Sequence, residues 1–342
     1  MKIELLLPWL FAEHMPDDSA IDMHPLSPWL AGSAAEQLIQ DPYEKVILNS
    51  LGYTLNKGDV LPIANCLYAG ALAKHQVCAQ PVHLDASLDN ARLLPAQCLS
   101  LTAEESNLLI ATLNELWNSD NIHVAAHSAI DWQLTGQNAD ALDCLPPPML
   151  AYRSVADALP RSTEAAQWRQ LLTEAQMMLH EHPVNISRQQ RGLRPVNSIW
   201  CYGGAAFSKP AEDSQTSLYA NDPFAQGLAN RLDIECLQIE DLNIAATVER
   251  AAHLAKKSNT EKFSKILVAD IRLQQAWLAN EYDSFIAARD HIIQQMLQPI
   301  SEAHQNTKHL SFHIDDCHGN RYEPKQASGL GAKLKRVLSK WR

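Results

Sequence analysis

Short, unbroken apolar runs of strand length set the strongest limit on how this chain can fold. IELLLP (3–8), KFSKILVADI (262–271) and KHLSFHIDD (308–316) each carry an apolar run of strand length. Runs of that kind fit strands buried on both faces of a parallel sheet. Between them lie helical patterns. LTAEESNLLIATLNELWN (101–118) carries Thr102 and Glu105 at capping-box spacing, with Leu108, Leu109, Leu113 and Leu116 as its expected apolar stripe. STEAAQWRQLLTEAQMMLHE (162–181) has Leu171, Leu172, Ala175, Met178 and Leu179 as its expected buried face and ends before Pro183. A helix is also expected over LYAGALAKHQ (67–76), and a long one from Trp277 onward, broken near Pro299. Strands are expected at 77–87 and 196–204, the latter ending in glycines, and a strand pair or a strand plus turn at 123–134. Alternating strands and helices predict an α/β fold, with a largely parallel sheet flanked by helices.

At 342 residues the chain fits one large or two modest domains. The triple proline 146–148 is the best boundary candidate, giving an N-terminal α/β part (1–145) and a C-terminal part (146–342), or one interwoven domain. Twenty-eight basic against 39 acidic residues give a net charge of −11, which argues against non-specific nucleic-acid binding. Seven cysteines without a C-x-x-C pair fit free thiols in a reducing compartment. The start MKIELLLPWLFAEH lacks the basic region and cleavage site of a signal peptide. No stretch approaches the ~18 uncharged apolar residues of a membrane span. A cytoplasmic protein is expected.

The most distinctive segment is HEHPVNISRQQRGLRPVNSIWCYGG (180–204). His182, Asn185, Arg188, Arg191, Asn197, Gly203 and Gly204 form a set suited to an anionic oxygen ligand. Arginine offers a planar fork of donors for phosphate or carboxylate. Asparagine adds neutral donors, and a glycine pair lets backbone N–H groups approach an oxyanion. Against this stands a structural reading, in which His and Asn serve a helix end and the arginines pair with acidic side chains.

The pattern His-Pro-Val-Asn-x-x-Arg, then Gly-Leu-x-Pro-x-Asn-x-x-Trp-x-x-Gly-Gly, resembles a segment of the archaeal-type cofactor-independent phosphoglycerate mutases, of the alkaline phosphatase superfamily. The likeness extends to a bacterial offshoot, the RpfE-type regulatory proteins, through Pro81–Leu84, Trp168–His180 and Pro223–Ala229. The resemblance implies an alkaline phosphatase-like core in reduced form. It also implies two divalent metals, Mn or Mg, and a Ser or Thr nucleophile in any active member. No Asp-Gly follows the first strand, where the resemblance would put a metal ligand, and Glu13 and His14 are poor substitutes. Asp270 ends a strand but no histidine follows at the required spacing. His313, Asp315, Asp316 and His318 are the one dense Asp/His group, beside Gly319-Asn320, which also suits a plain turn. No catalytic residue is assigned and no cofactor is expected.

Three functions stay open: a catalytically degenerate relative with a binding or regulatory role, an active metal-dependent mutase, or an interaction scaffold. A small anionic ligand is the expected partner. The tail 325–342 holds six basic residues, with Leu334, Val337, Leu338 and Trp341 on one helical face, and offers a possible docking site for a protein.

Overall fold

The computed structural model describes residues 2–27, 33–37, 40–56, 58–68, 75–87, 90–142, 144–155, 158–159, 163–210, 216–244, 246, 265–306 and 310–324. The basic tail 325–342 and its expected amphipathic face lie outside the described residues.

The chain opens with β1 (Lys2–Leu6), followed by the edge strand β2 (Ser33–Gln37), α1 (Tyr43–Ser50) and the short α2 (Ile63–Leu67). Then come β3 (Gln76–Ser87), β4 (Asn90–Leu94), α3 (Ala103–Leu116), β5 (His123–Ala126) and β6 (Trp132–Thr135). The helices α4 (Pro147–Leu150), α5 (Thr163–His180) and α6 (Pro183–Gln190) lead into β7 (Ser198–Tyr202). The rest comprises β8 (Thr216–Ala220), α7 (Pro223–Leu232), β9 (Cys236–Leu237), β10 (Lys265–Ala269), α8 (Arg272–Ala279), α9 (Tyr282–Ile292), α10 (Gln298–Asn306), β11 (Ser311–Asp315) and β12 (Asn320–Pro324).

Among the described residues, seven strands form one sheet in the order β2-β12-β11-β1-β10-β8-β9. The pairs β1/β10, β1/β11, β10/β8 and β8/β9 are parallel; only β12, against β11 and β2, runs antiparallel. The fold is therefore α/β with a largely parallel sheet. Both faces of its central strands are buried, which is why IELLL and KILVA carry no full polar alternation. Ile3, Leu5, Ile266, Val268, Phe312 and Ile314 pack on one side with Phe285, Ile292 and Leu297 of the α8–α10 region. Leu6, Leu218, Ala220, Leu267 and Ala269 pack on the other with Ile47 of α1, Ala64 of α2, Leu228 of α7, and Val82 and Trp200 of β3 and β7. Each fully buried Val, Leu, Ile or Phe among them contributes roughly 1.5–3 kcal/mol.

A second, antiparallel sheet comprises β3 to β7, with β3 pairing β4, β6 and β7 along its length. Its other face packs against α3 and α5 through Leu109, Leu113, Trp168 and Leu179. The triple proline does not separate the two sheets. β7, beyond it, pairs with β3, before it, and Pro147 simply enters the first turn of α4.

Several local expectations need correction. Most of the helix expected over 67–76 lies outside the described residues; α2 ends at Leu67 and β3 begins at Gln76. On α3 the capping box between Thr102 and Glu105 is present, but Leu108 is 51% exposed and Ile110 takes the core position. On α5, Met178 is exposed and Trp168 is buried. Pro183 stops α5 and also starts α6, at a position where its missing N–H costs nothing. The long helix breaks at Asn280, which sits in the left-handed region at φ 57°, and not at Pro299. Near Pro299 the helix widens instead into a π turn at Ile293–Leu297, which accommodates a residue with no N–H to donate.

Candidate functional site

The 180–204 segment forms a tight structural knot between α3, α5, α6 and β7. His182 is the N-cap of α6: its Nδ1 accepts from Val184 N at 3.2 Å and its Nε2 lies 3.0 Å from Thr112 Oγ1. Burial lowers its pKa, which suits an imidazole whose Nδ1 must stay an acceptor. Asn185 is fully buried; its Nδ2 donates to Leu179 O and Val196 O, both at 2.7 Å, and its Oδ1 accepts from Val196 N at 2.8 Å. It thereby ties the end of α5 to the entry of β7. Asn197 makes the same kind of clamp on Leu84, accepting from its N–H at 2.7 Å and donating to its carbonyl at 2.9 Å.

The arginines are engaged as well. Arg188 has no exposed side-chain surface. It donates from Nε to Arg194 O at 2.9 Å, from Nη1 to Glu105 Oε2 at 2.6 Å, and from Nη2 to Leu99 O. Arg191, half exposed, donates to the other oxygen of Glu105. The two glycines answer a packing need. A Cβ on Gly203, at φ 73°, would lie 2.6 Å from Ile63 Cβ, and one on Gly204 would lie 2.8 Å from Val77 Cγ1. The side-chain donors of His182, Asn185, Arg188, Arg191 and Asn197 meet neighbouring backbone, Thr112 and Glu105. Beside them, Arg194 is exposed over an open hollow that it lines with His83, Gln189 and Pro195.

The second candidate region is the C-terminal edge of the parallel strands, where sheets of this kind place their chemistry. Asp270, fully buried after β10, is gripped by Arg272: Nε lies 3.0 Å from both carboxylate oxygens and Nη2 2.5 Å from Oδ2. Asn221 also donates to Asp270 Oδ1, at 3.2 Å. After β11, Asp316 Oδ1 accepts from His318 N at 2.8 Å and Asn320 N at 3.0 Å, and its Oδ2 accepts from Asn320 Nδ2 at 2.7 Å. This is the turn chemistry that Gly319-Asn320 implied. Asp315 Oδ1 accepts from Cys317 N at 2.8 Å, and burial raises its pKa. His318 packs tilted against Trp9, which stacks on Trp277, and burial lowers the His318 pKa. His313 points elsewhere, with Nε2 2.9 Å from Glu4 Oε1. Strand β1 separates β10 from β11, so Asp270 and Asp315 stand about two strand spacings apart, roughly 9–10 Å. Among the described residues, no group of three or more His, Cys, Asp or Glu is arranged to hold a metal ion.

Two polar features were missed from the sequence. Asp222, the N-cap of α7 after β8, is buried; it accepts from Ala225 N at 2.9 Å and from Tyr43 OH at 2.6 Å. Burial pushes its pKa up to about 6, against the hydrogen bonds that lower it. Burial and the nearby Asp222 charge push Glu44 up to about 7. The other feature is Glu4, 2% exposed in the middle of β1. Lys265 Nζ lies 2.5 Å from it, His313 Nε2 2.9 Å and Arg321 Nη2 3.3 Å. Burial works to raise the Glu4 pKa, but His313 and Lys265 hold it well below the usual carboxylate range. The signal was available: a carboxylate inside an apolar strand must find cations.

No family model matches the chain. A 2,3-bisphosphoglycerate-independent phosphoglycerate mutase of Methanosarcina mazei is 29% identical over 107 residues, 30% of this chain and 26% of that protein. One from Methanosarcina barkeri is 27% identical over 125 residues, 36% of this chain and 31% of the relative. One from Methanothrix thermoacetophila is 40% identical over 68 residues, 20% of this chain and 17% of the relative. The matched part thus spans 31% or less of these relatives' length. Among solved structures, the PH0037 protein from Pyrococcus horikoshii aligns over 94% of this chain and 86% of its own, with TM-score 0.47 and 13% identity. The cofactor-independent phosphoglycerate mutase from Thermoplasma acidophilum aligns over 96% and 90%, with TM-score 0.36 and 14% identity. The local sequence matches make this chain a distant homologue of the cofactor-independent phosphoglycerate mutases.

Proposed function

We propose that the protein is a catalytically degenerate relative of phosphoglycerate mutase that acts by binding, in a regulatory role of the RpfE type, and not by phosphoryl transfer. The observation that carries this reading is the state of the carboxylates at the strand ends. A metal that neutralises phosphate charge needs three or four converging, unspent donors. Asp270 is neutralised by Arg272, Asp316 is used up by its own turn, and His313 faces Glu4. Among the described residues, these side chains do not fit a two-metal centre. The seven cysteines form no disulfide and five of them are buried, in keeping with a cytoplasmic setting. No helix among the described residues is long and apolar enough to cross a membrane.

The test is metal content and phosphoglycerate mutase turnover on one purified sample supplied with Mn²⁺. The expected result is no stoichiometric metal and no turnover. Turnover that disappears in Asp270→Asn or Asp315→Asn would overturn the reading and establish an active mutase. The scaffold reading draws on the engagement of Asn185 and Arg188 with the protein itself. It predicts no saturable binding of any small oxyanion.

A further inference from the structure

The second sheet runs β4-β3-β6-β5, which leaves β5 outermost beyond β6. Its other borders are met by backbone. Along β4, Leu93 N donates to Arg153 O at 3.0 Å, Tyr152 N to Leu93 O at 2.7 Å and Val155 N to Ala91 O at 2.8 Å. Beside β7, Cys144 N donates to Cys201 O at 3.3 Å. Among the described residues β5 pairs with β6 alone, Val124 standing opposite Leu134. An outermost strand presents N–H and C=O groups to which a further strand can add.

On β5 a side chain takes that strand's place. Asn114 of α3 spans the edge with its amide: Oδ1 accepts from Val124 N at 2.7 Å and Nδ2 donates to Val124 O at 2.9 Å. In an antiparallel strand the N–H and C=O of one residue point to the same side, and the side alternates along the chain. Val124 therefore turns both groups away from β6. One donor and one acceptor on the asparagine amide reproduce what the facing residue of a neighbouring strand would offer. The local chain arranges this. A single turn over Asn118–Asp120 follows α3, and Asn121, left-handed at φ 54°, sends the chain back along the helix. Asparagine is a poor helix former, so its place inside α3 answers to the strand and not to the helix. Ala126, two residues past Val124 and on the same side, is exposed.

We propose that Asn114 is a guard built into the fold, and that the edge it closes is a self-association surface fitting β5 of a second copy of this chain. The strand is self-complementary. Two copies related by a two-fold axis can exchange both bonds between their Val124 residues, as an isologous antiparallel pair requires. That register sets His123 opposite Ala125 of the second copy, so no like charges meet.

The experiment compares the full chain with Asn114→Ala and with Asn114→Ala combined with Ala126→Pro. Sedimentation velocity over a wide concentration range is run beside hydrogen exchange at the Val124 amide, and thermal melts check folding. In dilute Asn114→Ala, Val124 should exchange about tenfold faster than in the parent, as the loss of one hydrogen bond implies. At high concentration the variant should gain a dimer beyond the parent's state, and protection at Val124 should return. Proline at 126 removes the next outward N–H at an edge position that accommodates it, and should abolish the added dimer. Parent-like association of Asn114→Ala at every concentration would overturn the proposal, whatever the exchange rate. Association that survives the proline, or that forms without renewed protection at Val124, would overturn it as well, because it would come from misfolding and not from the edge.

Discussion

Replacing Arg188 by methionine separates a structural role for the 180–204 segment from a ligand role. Methionine keeps much of the stem volume but removes every donor. The loss orphans Leu99 O and Arg194 O and takes from Glu105 its buried partner. Breaking a buried charge pair costs about 3–5 kcal/mol, and each stranded buried acceptor about 1–3. Arg191 stays on Glu105 and offsets part of this, so a net loss of about 3–5 kcal/mol is expected. Arg191→Met, at a half-exposed position, should cost under ~1 kcal/mol. Equilibrium urea denaturation followed by tryptophan fluorescence measures both. The pH dependence adds a second constraint. Burial raises the Glu105 pKa, but the Thr102 N–H, Arg191 and Arg188 lower it further, so it sits below its ordinary value. A depressed carboxyl contributes stability above its unfolded pKa and loses it as pH falls through the folded one. The penalty of Arg188→Met should accordingly shrink in acid. A loss below ~1 kcal/mol together with weakened oxyanion binding would refute the structural assignment.

Asp222 has the opposite sign. Its folded pKa of about 6 lies above the unfolded value, so the folded state holds an extra proton between roughly pH 4 and 6. Stability should fall as pH rises through that window, and Asp222→Asn should flatten the dependence in urea melts taken across it. Gly227→Ala would place a Cβ 1.9 Å from Cys66 O where α7 crosses α2. The backbone cannot yield cheaply, and a loss of about 3 kcal/mol or failure to fold is expected in thermal melts, overpacking usually costing 1–3. Thr102→Ala removes one arm of the observed capping box. It should cost about 1 kcal/mol, read from the same melts, with no change in oxyanion affinity.

The large sheet was legible because its strands are buried on both faces, so hydrophobicity alone marks IELLL and KILVA. The capping box of α3 was legible because its partners are three residues apart. What failed depends on partners far away in sequence. Leu108 and Ile110 are equally apolar, and which faces the core is set by how α3 lies on β5 and β6. Asn280, not Pro299, breaks the long helix, because a π turn absorbs the missing N–H while a left-handed residue redirects the chain. The 180–204 segment shows how a set of donors serves the fold. Its donors were counted correctly, but a sequence does not display acceptors. The carbonyls of Leu99 and Val196 take side-chain donors because helix ends and strand entries meet there, and Leu179 O takes one beside the His182 N–H. Asn185 and Arg188 satisfy backbone groups that water cannot reach, so a pattern rich in amides and guanidinium groups marks a difficult junction as readily as a ligand. Glu4 is the converse case. Its position within an apolar strand requires cations, and the fold supplies Lys265, Arg321 and His313 around it. A buried carboxylate thus draws its cations from neighbouring strands, just as Asn185 and Arg188 draw their acceptors from neighbouring backbone.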